Sequence, residues 1–297
     1  MDLSIIVVNW NTGKLLVECL RSVYRFTKFI SFEIIVVDNA SSDDSLLSLQ
    51  AQFPEVKLIR NRHNVGFAKA NNQAYLEAKG KYICCLNPDT ELLNNALEMM
   101  CDCLDNHVRC AIVGPKLLTP DRTIQYVCAR RYPSMYTSFV WITGLNQLWP
   151  HMFEGENLEN WDHQNSRSVD CVAGACMVFR RDFLKDNLIF NDSYFMFGED
   201  VDACLHAKRR GYTVHYLSDA EVMHYSQQSV KKNRDVTIHY CISMFIYYRE
   251  NFGIVKALAF RSLLVVVMSL RMFFPGSKRL HLKILSWAIG IKRITAF

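Results

Sequence analysis

Short apolar runs alternate with amphipathic stretches through the first 115 residues. Leu3–Val8 is unbroken and rich in Ile and Val, as in a strand buried on both faces. Thr12 and Gly13 then open a helix whose Leu15, Leu16, Cys19, Leu20 and Val23 share one face. Glu33–Val37 is a second strand, ending at Asp38. Ser41–Phe53 reads as a helix capped by Ser41 or Ser42, with acids in its first turn. Strand Val56–Arg60, helix Gly66–Lys79 closed by Gly80, strand Lys81–Leu86, helix Asn94–Asn106 and strand Cys110–Val113 follow. Repeated strand–helix units predict an α/β protein with a mostly parallel, doubly wound sheet and right-handed crossovers.

The alternation lapses over residues 116–168, which hold three Trp and scattered polar residues. This stretch reads as an irregular insertion that shapes a cleft. Val169–Arg180 resumes as a strand. A helix from about Glu199 to Arg210, with Gly211 as its C-cap, and a strand Thr213–Leu217 come next. From Asp235 onward the pattern is helical.

Charge separates the tail from the body. The formal net charge is +5, yet residues 251–297 carry 8 Lys/Arg and no Asp or Glu, while residues 1–250 are slightly acidic. Ile254–Phe273 is apolar but holds Lys256, Arg261 and Arg271. Those charges cost roughly 2.5–3.5 kcal/mol each near a bilayer centre, against about 0.3–0.6 kcal/mol gained per apolar residue. The segment is therefore expected to lie on a membrane, not to cross it. Lys278, Arg279, Lys283, Lys292 and Arg293 alternate with Leu280, Leu282, Ile284, Leu285, Trp287 and Ile289, which suits an anionic interface. A helical cap packed on the body, or a contact between copies in a homo-oligomer, is the competing expectation.

Cys84, Cys85, Cys101, Cys103, Cys171 and Cys176 are dispersed, with no CxxC pair, so the thiols are expected to be reduced and packed as small hydrophobes in a cytoplasmic protein. The first apolar run has no Lys or Arg before it and ends at Asn9, unlike a secretory signal. Basic residues gathered in an apolar tail exclude a nucleic-acid groove.

In open α/β sheets ligands bind beyond the carboxyl ends of the strands. Here those ends read Asn9-Trp10-Asn11, Asp38-Asn39-Ala40-Ser41-Ser42-Asp43, Asn61-Arg62-His63-Asn64-Val65-Gly66-Phe67 and Asn87-Pro88-Asp89-Thr90. Singly each is ordinary turn or cap chemistry. At successive strand ends they make one polar crevice suited to a nucleotide. Neither GxGxxG nor GxxxxGK[ST] occurs, which disfavours a dinucleotide site and a P-loop. A second cluster, Glu199, Asp200 and Asp202, opens a helix directly after Tyr194, Phe195, Met196 and Phe197. Acids in a first helical turn suit the dipole, and crowded carboxylates beside apolar bulk also suit a general base. Asp202 is expected to face elsewhere on the helix. His224 follows the strand Thr213–Leu217 by a short loop; a lone His is more often structural than a ligand.

The run SIIVVNWN, VDNASSDDS, NRHNVGFAKANNQA, CLNPDTEL and GEDVDACLHAKRRGY, with His224 beyond, resembles an inverting family 2 glycosyltransferase of the GT-A fold. The likeness covers about residues 1–230 and most resembles bacterial rhamnosyltransferase-like members, which build surface polysaccharides from a dTDP-sugar. It implies a catalytic domain over 1–230: a nucleotide-binding half (1–115), the cleft insertion (116–168) and an acceptor half (169–230). Residues 231–297, beyond the likeness, are expected from their pattern to form a helical, membrane-associating region. The likeness also implies roles. Asn9 and Asp38 would contact base and ribose, with Asn11 and Asn87 in the donor site. Asn64, Gly66 and Asn71 would line the nucleotide pocket. Asp89 and His224 would hold Mg²⁺ or Mn²⁺ on the donor diphosphate. Asp200 would be the catalytic base, with Glu199 beside it. Asn87 stands where the family's metal-binding motif has its first acid, so one strong ligand is missing. The donor expected is a dTDP-sugar, with UDP- or GDP-sugars as alternatives, and the acceptor a glycan or lipid-linked glycan at the cytoplasmic face of the inner membrane. A nucleotidyltransferase is disfavoured because no glycine-rich basic loop follows the first strand. A non-catalytic sugar- or nucleotide-binding module would have no use for Asp200.

Overall fold

A computed structural model describes residues 1–149, 151–158, 160–184, 188–225, 236–273 and 278–290. The expected α/β architecture is present. Strands β1 (Leu3–Asn9), β2 (Phe32–Asp38), β3 (Lys57–Arg60) and β4 (Tyr82–Leu86) lie parallel in the order β3-β2-β1-β4. They are joined through α1 (Lys14–Phe26), α2 (Ser45–Gln52) and α3 (Phe67–Tyr75). The sheet continues beyond β4 through β10 (Cys176–Arg180), β6 (Cys110–Leu118), β11 (Thr213–His224) and β5 (Thr90–Leu92). Here it becomes mixed. β10 inserts antiparallel between β4 and β6, and β5 and β8 (Arg167–Val169) pair antiparallel with β11, which runs parallel to β6. Helix α4 (Ala96–Asn106) packs on β6 and β11. β1, β2 and β4 are buried at nearly every position, which explains their unbroken apolar runs.

Several expected elements shift. The helix placed at Ser41 begins only at Ser45, because Ser41 is drawn into bonds with Asn9 and Asn11. The next helix stops at Tyr75, and Gly80 does not cap it. A Cβ at Gly80 would lie 2.3 Å from the Ser4 nitrogen, so glycine here permits close approach to β1. Val169–Arg180 is not one strand but β8, β9 (Cys171–Val172) and β10, separated where Ala173-Gly174-Ala175 turns toward β4. β11 runs past Leu217 through an irregularity to His224, so His224 ends a strand instead of following a loop. Residues 116–168 are more ordered than expected. β6 extends to Leu118, β7 (Ala129–Arg130) pairs with β9, and α5 (Met135–Thr143) starts in a Ser134/Thr137 capping box. A short α6 (Leu145–Leu148) follows it. Helix α7 (Glu199–Arg209) precedes β11, and Gly211 takes the expected left-handed φ of 81°. The chain closes with α8 (Val236–Phe252), α9 (Ile254–Arg271) and α10 (Lys278–Ala288). The expected boundary at 230/231, and Lys292 and Arg293, lie outside the described residues.

Candidate active site

The register of the sheet builds the site. Asn9 and Asp38 are directly opposed at the ends of β1 and β2. Asn9 is wholly buried, and its Nδ2 donates to Asp38 Oδ1 (2.9 Å), Ser41 Oγ (3.0 Å) and Ser45 Oγ (3.0 Å). Asp38 Oδ2 accepts from the Ser41 nitrogen at 3.1 Å. Asn11, at a left-handed φ of 55°, accepts the Ser42 N–H at 2.7 Å. Asn39, not singled out from the sequence, bridges onward: it donates to Gly66 O at 3.2 Å and accepts from Asn61 at 2.9 Å. Asn64 Oδ1 accepts the Gly66 N–H at 2.9 Å. Gly66 has φ 90°, and a Cβ there would sit 2.6 Å from Phe195 O, so this turn requires glycine. Asn71 is buried in α3; its Nδ2 donates to Phe67 O and its Oδ1 has no hydrogen-bond partner.

A second group surrounds a cavity of about 350 Å³, lined by Asn87, Arg130, Gly174, Glu199, Asp200 and His224, with Phe67, Tyr240 and Met244 among its apolar walls. The antiparallel pairing of β5 with β11 sets Thr90 against His224, which brings the preceding Asp89 within 3.5 Å of His224 Nε2. Gln125 fixes the imidazole. Its Nε2 donates to the His224 backbone carbonyl at 2.6 Å, so its Oε1, 3.0 Å from Nδ1, receives the ring proton there. The other ring nitrogen, Nε2, faces Asp89.

Glu199 and Asp200 reach the cavity through a sharp turn. Phe197 and Gly198 both have left-handed φ, 67° and 82°, immediately before α7. For Phe197 this conformation is strained, a feature that clusters at functional sites. Asp200 is 7% exposed. Its Oδ2 accepts from Arg130 Nη2 at 2.6 Å and from the Gly174 nitrogen at 3.1 Å; its Oδ1 accepts from the Val201 nitrogen at 2.8 Å. Glu199 is 5% exposed, and its Oε2 has no hydrogen-bond partner. Burial, with the Asp200 charge adding, holds its carboxyl well above the usual range. Asp202 turns away, as expected, and bonds Tyr194 and Asn251.

Asn87, Glu199, Asp200 and His224 therefore share one cavity, and Asp89 adjoins it through His224. Asn9, Asn11, Asp38 and Asn64 form a separate network at the neighbouring strand ends. The two are joined where the Phe67 nitrogen donates to Phe195 O at 2.7 Å. Arg130 and Gln125 escape sequence reasoning because they come from the insertion, where no periodicity marks them.

A polar row of strand ends beside a carboxylate-bearing cavity, on this sheet, is the architecture of the GT-A fold. The chain belongs to glycosyltransferase family 2: the profile described as "Glycosyltransferase like family 2" matches residues 2–235. It is 25% identical over 253 residues to the N-acetylglucosaminyl-diphospho-decaprenol L-rhamnosyltransferase of Mycobacterium tuberculosis, covering 80% of each chain. It is 24% identical to the O-antigen biosynthesis protein RfbC of Myxococcus xanthus, over 82% of this chain and 19% of that one. Among solved structures, the mannosyltransferase PcManGT of Pyrobaculum calidifontis, in complex with GDP-Man and Mn²⁺, aligns with a TM-score of 0.58 at 16% identity, over 98% of this chain and 81% of that one.

Proposed function

We propose that this glycosyltransferase moves rhamnose from dTDP-rhamnose to a hydroxyl of a lipid-linked glycan, with inversion, in cell-surface polysaccharide assembly at the cytoplasmic face of the inner membrane. The observation that carries the mechanism is that Asp200 and His224 line one cavity while His224 reaches Asp89. The donor and acceptor classes are supported by the mycobacterial relative, whose name gives both a rhamnosyl group and a diphospho-decaprenol acceptor.

In this reading Asp200 is the base. Its three donors orient the carboxylate and leave Oδ1 one lone-pair direction with which to take the acceptor proton. The acceptor oxygen then attacks the anomeric carbon opposite the leaving diphosphate, and a single displacement inverts it. Asn9 acts at one remove: being buried, it positions Asp38 and the Ser41–Ser45 turn against the nucleoside. Asn11, Asn64, Gly66 and Asn71 complete that pocket.

The residues present fit a divalent ion. Two ligands on one octahedral ion at about 2.1 Å lie about 3 Å apart, close to the 3.5 Å between Asp89 and His224, and the Gln125-fixed tautomer offers Nε2 for ligation. Asp89 and His224 would hold it, with neutral Asn87 beside them. When bound, Mg²⁺ or Mn²⁺ supplies charge neutralisation for the departing nucleotide diphosphate.

The basic, apolar tail would rest on the membrane that carries the acceptor. Asp200→Asn keeps the shape and removes the base. Its kcat is expected to fall by about 10³-fold or more, with donor affinity within about twofold of the parent. Near-normal turnover in that variant would overturn the assignment.

A further inference from the structure

At the opposite end of β11 from His224, roughly 20 Å away along the register of β6, three donor side chains converge from different parts of the chain. Cys103 lies near the end of α4, and His107 follows one turn later as the residue that caps it. A spacing of four places both on one helical face. His215 stands near the start of β11, where its register against β6 and the packing of α4 on both strands bring it to the same place. Cys103 Sγ is 3.7 Å from His107 Nδ1 and 3.9 Å from His215 Nδ1. One donor atom from each residue lies within 4.8 Å of the other two. The two imidazole centroids are 4.9 Å apart.

The surroundings suit a thiolate. Cys103 is buried, and the buried Cys110 thiol at the start of β6, which donates to Ile112 O at 3.3 Å, is close to it. The neighbouring Cys110, opposed by burial and helped by the two imidazoles, lowers the Cys103 thiol below its ordinary range. The loop carrying His107 and Cys110 is held independently of any ligand. Arg180 donates to Cys110 O at 3.1 Å and to His107 O at 3.3 Å. His107 is exposed, so the cluster opens to solvent on that side.

We infer that Cys103, His107 and His215 form a binding site for a thiophilic divalent cation of the Zn²⁺ class, separate from the catalytic cavity, with solvent at the fourth position. A thiolate with two imidazoles is the donor set that borderline ions select, whereas Mg²⁺ prefers oxygen. Drawing atoms now within 4.8 Å of one another onto one ion at 2.0–2.3 Å takes only a small contraction. The present bond from His107 Nδ1 to Cys103 O, at 2.9 Å, breaks on ligation through that nitrogen, and the ring proton moves to Nε2. Such an ion would clamp the end of α4 to β11. Nothing in the linear spacing of the cysteines announces it, because its third ligand lies 108 residues beyond His107.

The test uses the full chain under reducing conditions with Co²⁺ as the spectroscopic probe, then Zn²⁺ as competitor. The parent protein is expected to develop a thiolate-to-Co²⁺ charge-transfer band saturating at one equivalent and displaced by Zn²⁺. Cys103→Ser should lose the band. His107→Gln, at an exposed position that leaves the core untouched, should weaken Co²⁺ binding by about tenfold or more. His224→Ala should keep the band, because the pair formed by Asp89 and His224 carries no thiolate. No band in the parent, a band that survives Cys103→Ser, or unchanged affinity in His107→Gln would overturn the site.

Discussion

Glu199 is a carboxyl buried in the catalytic cavity. A carboxyl with an unpartnered oxygen sits beside the Asp200 carboxylate, and burial keeps it protonated well above its ordinary 4.5. The linkage sign follows. In the folded state Glu199 holds its proton over a range where the unfolded chain has released it, so its contribution to stability is complete below 4.5 and is lost as pH rises through the folded-state value. Glu199→Gln, which is permanently neutral, is expected to be more stable than the parent on the alkaline side, the gain vanishing in acid. Denaturant midpoints across pH measure this; a constant offset at every pH would refute it. The sequence displayed Glu199 and Asp200 as neighbours next to an aromatic run. It did not display Arg130, Gly174 or Gln125, whose effect depends on contacts 26 to 99 residues away.

Helix α9 has two apolar faces with different fates. Ala257, Phe260, Leu264, Val267 and Met268 are buried, and the helix packs on α8 and α5. The expected helical cap is therefore real on this side. On the other, Val255, Leu258, Val266 and Leu270 recur at helical spacing and remain exposed, near Lys256 and in a segment without acids. No described helix is long and apolar enough to cross a membrane. An exposed apolar stripe with basic neighbours suits shallow insertion between anionic headgroups. Replacing Val255, Leu258 and Val266 together with Ser leaves the packed face intact and is expected to weaken co-sedimentation with phosphatidylglycerol vesicles by about tenfold or more. Unchanged co-sedimentation would leave this stripe without a membrane role. The packed face and the outward face are both apolar, so hydrophobicity alone could not separate them; the positions of α8, α10 and α5 do.

For the molecule as a whole, folding stability reads out donor identity. A ligand that binds the native state at about 100 times its Kd adds about 2.7 kcal/mol. A thermal-shift comparison of dTDP-, UDP- and GDP-sugars with Mg²⁺ is expected to single out the dTDP-sugar, with the shift reduced when Mg²⁺ is withdrawn. Mg²⁺ is the appropriate ion because the Cys103 cluster lacks oxygen ligands. An equal response to all three nucleotides would remove the dTDP preference, and a preference for UDP or GDP would replace it.

The amino-acid order by itself established the βα alternation, the polar strand ends and the acid pair at the start of α7. Each of these depends on interactions within a few residues: two-sided burial of a strand, turn chemistry after it, side-chain spacing along a helix. Long-range assembly supplied the rest. Insertion of β10 against β4 carries Gly174 to Asp200, the β5–β11 register carries Asp89 to His224, and the β7–β9 pair delivers Arg130. The same packing gathers Cys103, His107 and His215 into one cluster. Strand pairing joins residues through backbone hydrogen bonds that are nearly blind to side-chain identity, so the partners it brings together leave no mark in the local pattern.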